Sequence, residues 1–176
     1  MARPGLILDR DGTLTHELGY LSSQWDLVPV PGVEVAMRRV RAAGIPVAVV
    51  TNQSAVSRGI VSELGLERMH DYLKRHFGVA AVYHCPHLPD GGCSCRKPLP
   101  ELVSRAVRDL DLDARRSLMV GDHITDCQAA RAAGVPAMLV RSGHGQGQED
   151  EARADGFRVV HDLAQAVEIF LAGLKR

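Results

Sequence analysis

The stretch LILDRDGTLT, residues 6–15, decides the fold. Three apolar residues run straight into Asp9, Arg10, Asp11 and Gly12, so a short buried strand ends in two carboxylates and a turn-forming glycine. Carboxylates this close repel one another, and a cation between them relieves the repulsion. A chain still extended beyond the strand would send residues two apart to the same side, placing Asp9 and Asp11 together. Such a pair suits magnesium, a hard ion that takes oxygen ligands in octahedral geometry. Gly12 permits the tight turn that brings backbone close to a ligand.

Outward from this strand the chain alternates short apolar runs with amphipathic stretches, the pattern of a parallel sheet covered by helices. Strands are predicted at 5–9, 45–51, 79–85, 117–122, 136–140 and 157–160, with helices at 32–44, 62–78, 99–110, 125–134 and 162–174. The fold class expected is therefore α/β, a three-layer Rossmann-like parallel sheet. Ser62 and Gly78 mark the two ends of the second helix as cap and stop. The segment RSGHGQGQEDE, 141–151, reads as a polar, glycine-rich surface loop. Asp9, Thr51, Cys85 and Asp122 each fall at the carboxyl end of a predicted strand, where open α/β sheets bind their ligands.

No repeat or linker divides the 176 residues, so one domain over 1–176 is expected. The 21 basic residues balance 21 acidic ones, which argues against a nucleic-acid or anionic-membrane partner. Aromatic residues are only 4% of the chain, too few for base-stacking platforms. No apolar run approaches the roughly 20 residues of a membrane span, and the N-terminus lacks a signal-peptide core. A cytoplasmic monomer acting on a small phosphorylated metabolite is the expectation.

Phosphate follows from the carboxylates once a metal is held, because its charge would otherwise be repelled. A carboxylate can attack phosphorus to form an aspartyl-phosphate, and a neighbouring acid can protonate the leaving oxygen and then activate water. Thr51 and the amides of Asn52 and Gln53 are candidates to hold phosphate oxygens, with Lys97 as fixed positive charge.

The segments DRDGTL, VVTNQS, RKP and VGDHITD resemble, in order and spacing, the four motifs of the haloacid dehalogenase (HAD) superfamily phosphatases. That resemblance implies Asp9 as nucleophile, Asp11 as general acid/base, and Thr51 and Lys97 as phosphoryl ligands. It implies magnesium on the Asp9 carboxylate, the Asp11 main-chain carbonyl and Asp122, with Asp126 orienting a metal-bound water.

CPHLPDGGCSCRKP, 85–98, spaces Cys85, His87, Cys93 and Cys95 as a closed tetrahedral zinc site, hence a structural one. The loop ends at Arg96-Lys97 and would set both cations over the crevice. It narrows the resemblance to a zinc-containing branch that acts on heptose bisphosphates or histidinol phosphate and lacks a large cap domain. Within that branch HELGYL and TNQSAVSRG resemble the heptose enzymes, which implies substrate contacts at Asp9, Arg10, Asp11, Glu17, Leu18, Gly19, Tyr20, Thr51, Asn52, Gln53, Ser54, Arg96 and Lys97. Arg58 and Arg96 are candidates to pair with a distal phosphate, and His123 stands where a lysine or arginine is common. The expected reaction is removal of the 7-phosphate of D-glycero-D-manno-heptose 1,7-bisphosphate, with histidinol phosphate or another small sugar phosphate as the alternative.

Two readings from other classes remain at this stage. A receiver-like phosphoacceptor would need its aspartate after the third strand, where Cys85 stands. A zinc-dependent interaction module would tolerate Asp9→Asn, which a nucleophile cannot. The side chains of His16, His70, His76, His144 and His161 read as surface or cap residues, and Cys127 as packed core.

Overall fold

A computed structural model describes residues 2–175. Six strands form one parallel sheet: β1 (Leu6–Leu8), β2 (Val47–Asn52), β3 (Ala81–Cys85), β4 (Leu118–Gly121), β5 (Ala137–Val140) and β6 (Arg158–Val160). Their order across the sheet is β3-β2-β1-β4-β5-β6, so β1 lies inside with β2 and β4 as neighbours. Leu6 pairs with Val47 and Leu118, and Leu8 with Val49 and Val120. That register brings the carboxyl ends of three strands level with one another. It also puts the reversal of strand order, between β1 and β4, beside Asp9.

Side-chain alternation builds the three layers. Leu6, Leu8, Val47, Val49, Leu118 and Val120 pack toward α1 (Val33–Ala42), α2 (Glu63–Phe77) and α6 (Leu163–Gly173). Ile7, Ala48, Val50 and Met119 pack the other way, toward α3 (Glu101–Asp109) and α4 (Ile124–Ala132). Strands buried on both faces must be apolar throughout, which is why they read as continuous runs. On α2, Leu66, Met69, Leu73 and Phe77 recur at helical spacing and are nearly or fully buried. Each such side chain contributes about 1.5–3 kcal/mol. Ser62 Oγ accepts from Gly65 N at 3.0 Å to open α2, and Gly78 at φ 70° ends it.

The loop expected over 141–151 is partly helical. A 3-10 turn, Gly145–Gln148, leads into α5 (Glu149–Ala154). Acidic residues in the first turn of α5 suit the helix dipole. Glu149 also accepts from Arg141 and Arg153, each at 2.7 Å. Another expectation fails at His70, which is buried in α2 rather than exposed, its ring 5.0 Å from that of His84.

Over the carboxyl edge residues 9–32 join β1 to α1 and residues 53–62 join β2 to α2. Among the described residues the β1–α1 connection carries a 3-10 turn, Gln24–Asp26, and isolated bridges from Thr15 to Asp11 and Pro29, and no helix or strand lies between β2 and α2. No described helix is long and apolar enough to cross a membrane.

Candidate active site

The strand ends open into a cleft of about 300 Å³ whose walls include Asp9, Asp11, Thr51, Asn52, Lys97, Asp122 and Asp126. Lys97 is its hub. The ammonium lies 2.8 Å from Asp9 Oδ1 and 2.6 Å from Asp126 Oδ1, and donates to Val50 O at 2.9 Å. Two carboxylates thus balance the ammonium's charge and one main-chain carbonyl fixes its position. The main chain of Lys97 is pinned as well: its N donates to Asn52 Oδ1 at 3.1 Å, and Asn52 Nδ2 donates to its carbonyl at 3.2 Å. Asn52, at the end of β2, thus carries the lysine from a loop to the centre of the site.

Three carboxylates, of Asp9, Asp122 and Asp126, lie within 4.8 Å of one another, with one ammonium among them. Burial is the main force pushing Asp9 up to about 7, with Asp126 and Asp11 adding to it and Lys97 opposing. Burial likewise pushes Asp122 up to about 8, helped by repulsion from Asp9 and Asp126. Burial alone would lower Lys97, yet Asp126 and Asp9 outweigh it and hold the ammonium above its ordinary range. Negative charge exceeds positive charge in a desolvated space, and the donors are all oxygens. The residues fit a divalent cation. Asp126 is spoken for, because its second oxygen accepts from His123 N at 3.0 Å. Asp9 and Asp122 are left as the carboxylates for a metal, and Asp126 supports Lys97 and the start of α4.

Asp11 departs from the expected geometry. The chain does not stay extended past Leu8 but turns, with Leu14 N and Thr15 N both bonded to the Arg10 carbonyl at 2.9 Å. The Asp11 carboxylate therefore leaves the three-carboxylate cluster and meets Arg10, whose Nε lies 2.9 and 3.0 Å from its two oxygens. Gln53 Nε2 donates to Asp11 Oδ2 at 2.8 Å and to Thr51 Oγ1 at 2.7 Å, while Gln53 Oε1 accepts from Arg10 at 2.8 Å.

Two substrate-contact expectations need correction here. The Arg10 side chain is only 1% exposed and lines neither hollow, since Asp11 matches its charge and Gln53 accepts from its Nη2. The Gln53 amide is not open to a phosphate oxygen, because it donates to Cys85 O at 2.7 Å to hold β2 against β3.

A second hollow of about 240 Å³ adjoins the first and shares Asp11, Glu17 and Asn52 with it. Gly19, Tyr20, Gln53, Ser54 and Ala55 complete its lining. Glu17 Oε1 accepts from Gly19 N at 2.8 Å, which stiffens this rim. Leu18 is exposed and lines neither hollow. Arg58 also lines neither and lies over the Tyr20 ring at 5.4 Å. Arg96 and His123 border the first hollow.

Residues 142–144 were missed. The Ser142 hydroxyl donates to Gly12 O at 2.6 Å, and His144 N donates to Asp122 Oδ2 at 2.8 Å. His144 is exposed and caps the following 3-10 turn as expected, and it also borders the cleft beside His123. The only hint in the sequence is Ser-Gly-x-Gly directly after a buried strand, a pattern most turns share.

Beyond β3 the four donors Cys85, His87, Cys93 and Cys95 converge within 4.8 Å. Cys85 Sγ lies 3.6 Å from Cys93 Sγ and 3.5 Å from His87 Nδ1, and Cys95 Sγ lies 3.3 Å from that nitrogen. Tetrahedral zinc with Zn–S near 2.3 Å separates its ligands by about 3.5–3.8 Å, so the donor set fits zinc. Arg96 donates to His87 O at 3.0 Å, which ties the loop to the residue before Lys97.

A family model described as HAD-hydrolase-like matches residues 94–166. The D-glycero-beta-D-manno-heptose-1,7-bisphosphate 7-phosphatase of Haemophilus ducreyi is 36% identical over 88% of this chain and 92% of its own. The Yersinia pestis protein of the same name is 38% identical, over 94% and 95%. Among solved structures, the D,D-heptose 1,7-bisphosphate phosphatase of B. bronchiseptica, complexed with magnesium and phosphate, superposes with a TM-score of 0.88 at 36% identity. That superposition covers 96% of this chain and 99% of the other.

Proposed function

The chain belongs to the HAD-like hydrolases and is a phosphoric monoester hydrolase, and from that premise we propose that it removes the 7-phosphate of D-glycero-D-manno-heptose 1,7-bisphosphate through an aspartyl-phosphate on Asp9. The observation that carries the reading is Asp9 itself. It is a desolvated carboxylate gripped by Lys97 at a strand end, with Asp11 on the wall of the same cleft.

The Asp9 oxygen attacks phosphorus while the ester oxygen leaves and takes a proton from Asp11. Asp11 then removes a proton from the water that attacks the aspartyl-phosphate, releasing inorganic phosphate and freeing Asp9. Thr51 Oγ1 accepts from Gln53, which leaves its own proton to donate to a phosphoryl oxygen. Lys97 holds Asp9 in line and offsets part of its charge. Magnesium, held by Asp9 and Asp122 with the Asp11 carbonyl, supplies charge neutralisation for the nucleophile and the phosphoryl oxygens. Zinc on Cys85, His87, Cys93 and Cys95 shapes the loop that delivers Lys97. The second hollow is the place for the sugar, and Arg96, on the wall of the first hollow, and Arg58, stacked on Tyr20 of the second, are the candidates to pair with a distal phosphate.

The test is kcat/KM for the heptose bisphosphate against histidinol phosphate, with magnesium present. A preference for the bisphosphate supports the substrate assigned here, and a preference for histidinol phosphate ends that assignment while leaving the phosphatase class untouched.

A further inference from the structure

We propose that the turn Ser142–Gly145 is a clamp holding the Asp122 carboxylate and the Gly12 turn in the arrangement a divalent cation requires, an inference that rests on the reading of Asp9 and Asp122 as cation ligands. The turn follows β5 directly and closes on itself, Gly145 N donating to Ser142 O at 2.9 Å. From it two bonds cross to two different motifs. His144 N takes one oxygen of Asp122, Oδ2, at 2.8 Å, which leaves Oδ1 to face a cation. The Ser142 hydroxyl takes the Gly12 carbonyl at 2.6 Å, in the turn that follows Asp11. A main-chain donor is well suited to this task, since it fixes a carboxylate rotamer without ordering another side chain.

Glycines make the approach possible. Gly12 and Gly143 sit at φ 75° and 55°, and a Cβ on either would run into the Asp122 carboxylate. At Gly143 it would meet the Gly12 Cα as well, and at Gly145 it would strike the Val140 carbonyl. First motif, last motif and clamp therefore meet around the Asp122 carboxylate, which lies directly against the two glycines. A turn that merely capped β5 would need neither bond nor this closeness. Groups that orient a ligand in this way typically change metal affinity about ten- to a hundredfold when altered.

The experiment is thermal denaturation of the full chain across a magnesium titration, for the parent and for Ser142→Ala, Gly143→Ala and Gly156→Ala. Gly156, at φ 81° with nothing within 4 Å of a Cβ, isolates backbone strain from contact. Gly143→Ala moves the magnesium midpoint up about ten- to a hundredfold. Ser142→Ala moves it roughly two- to tenfold, as expected for one hydrogen bond. Gly156→Ala lowers the melting temperature and keeps the parent midpoint. In Ser142→Ala, saturating magnesium restores kcat with the ester KM unchanged. If Gly143→Ala fails to fold, Ser142→Ala decides. Parent midpoints in both clamp variants overturn the clamp alone, and absence of any magnesium response in the parent overturns the clamp together with the cation reading.

Discussion

In the proposed reaction Asp9 is both a largely desolvated carboxylate and a nucleophile, and its neighbours make the two compatible. Asn retains its shape and loses its charge. Asp9→Asn should reduce phosphate release to the limit of detection in a malachite-green assay. The same change removes one charge from a cluster in which repulsion already raises the acids, so metal-free melting should hold steady or rise. Loss of activity together with loss of folding would contradict that division. At Asp11 the change to Asn should lower kcat about 10²- to 10⁴-fold with a smaller effect on KM, the range for removing a general acid/base. The neighbouring Arg10 shows how a residue inside a catalytic motif can serve it from below, by fixing Asp11 rather than by touching substrate.

The zinc loop and the end of β2 act together as an element. Asn52 grips the Lys97 main chain and Arg96 grips His87, so the ammonium is located by the loop's fold and not by its own four-carbon stem. Removing a zinc ligand should therefore damage catalysis as well as stability. Cys93→Ser is expected to cost about 4 kcal/mol, at the large end of single-site effects. Chelated protein given magnesium alone should stay inactive, while magnesium plus zinc should restore it. Full activity with magnesium alone would show that the loop does not deliver Lys97. The clamp after β5 is the matching element of the cleft, and it holds Asp122 as the loop holds Lys97.

Across the whole molecule, buried ionisable groups give the metal-free chain two opposed pH limbs. Asp9 and Asp122, raised from 3.8 to about 7 and about 8, hold protons in the folded state that the unfolded chain has released. Their contribution is fully present below 3.8 and is lost as pH rises through 7 and 8. His70 is lowered from 6.5 to about 3, chiefly by burial, with His84 and Arg10 adding to it. Its contribution is present above 6.5 and is lost as pH falls toward 3. Two carboxylates outweigh one imidazole between 3.8 and 6.5, so the metal-free melting temperature should be highest near about pH 4 and fall from there to about pH 8, and magnesium should raise it most above pH 7. A metal-free melting temperature that climbs steadily to pH 9 would contradict the charge balance described here.

Much of this architecture was legible because burial on both faces leaves strands nothing polar, so the first polar residue after each run marks a ligand-facing edge. Asp9 and Asp122 were found in that way. Lys97 was found by motif, although nothing local says that Asn52 would hold it. The turn at 142–145 was not legible, since Ser142 meets Gly12 across a separation of 130 residues and a glycine-rich polar segment looks alike wherever it lies. Asp11 was misplaced for a simpler reason. Strand alternation forecasts direction only while the chain is extended, and here it turns after Leu8. The helix α5 was hidden because only its first three residues, Glu149–Glu151, fall in the loop-like segment, and its Glu149–Arg153 pair reaches past the segment's end.

One measurement reaches the chemistry itself. Protein mixed with heptose bisphosphate and magnesium, quenched within a turnover and treated with borohydride, should contain homoserine in place of Asp9 in the corresponding peptide, because an acyl phosphate is reducible and a free carboxylate is not. Rapid phosphate release with Asp9 unmodified at every quench time would mean that water attacks the ester directly, and the carboxylate at the end of β1 would not be the nucleophile.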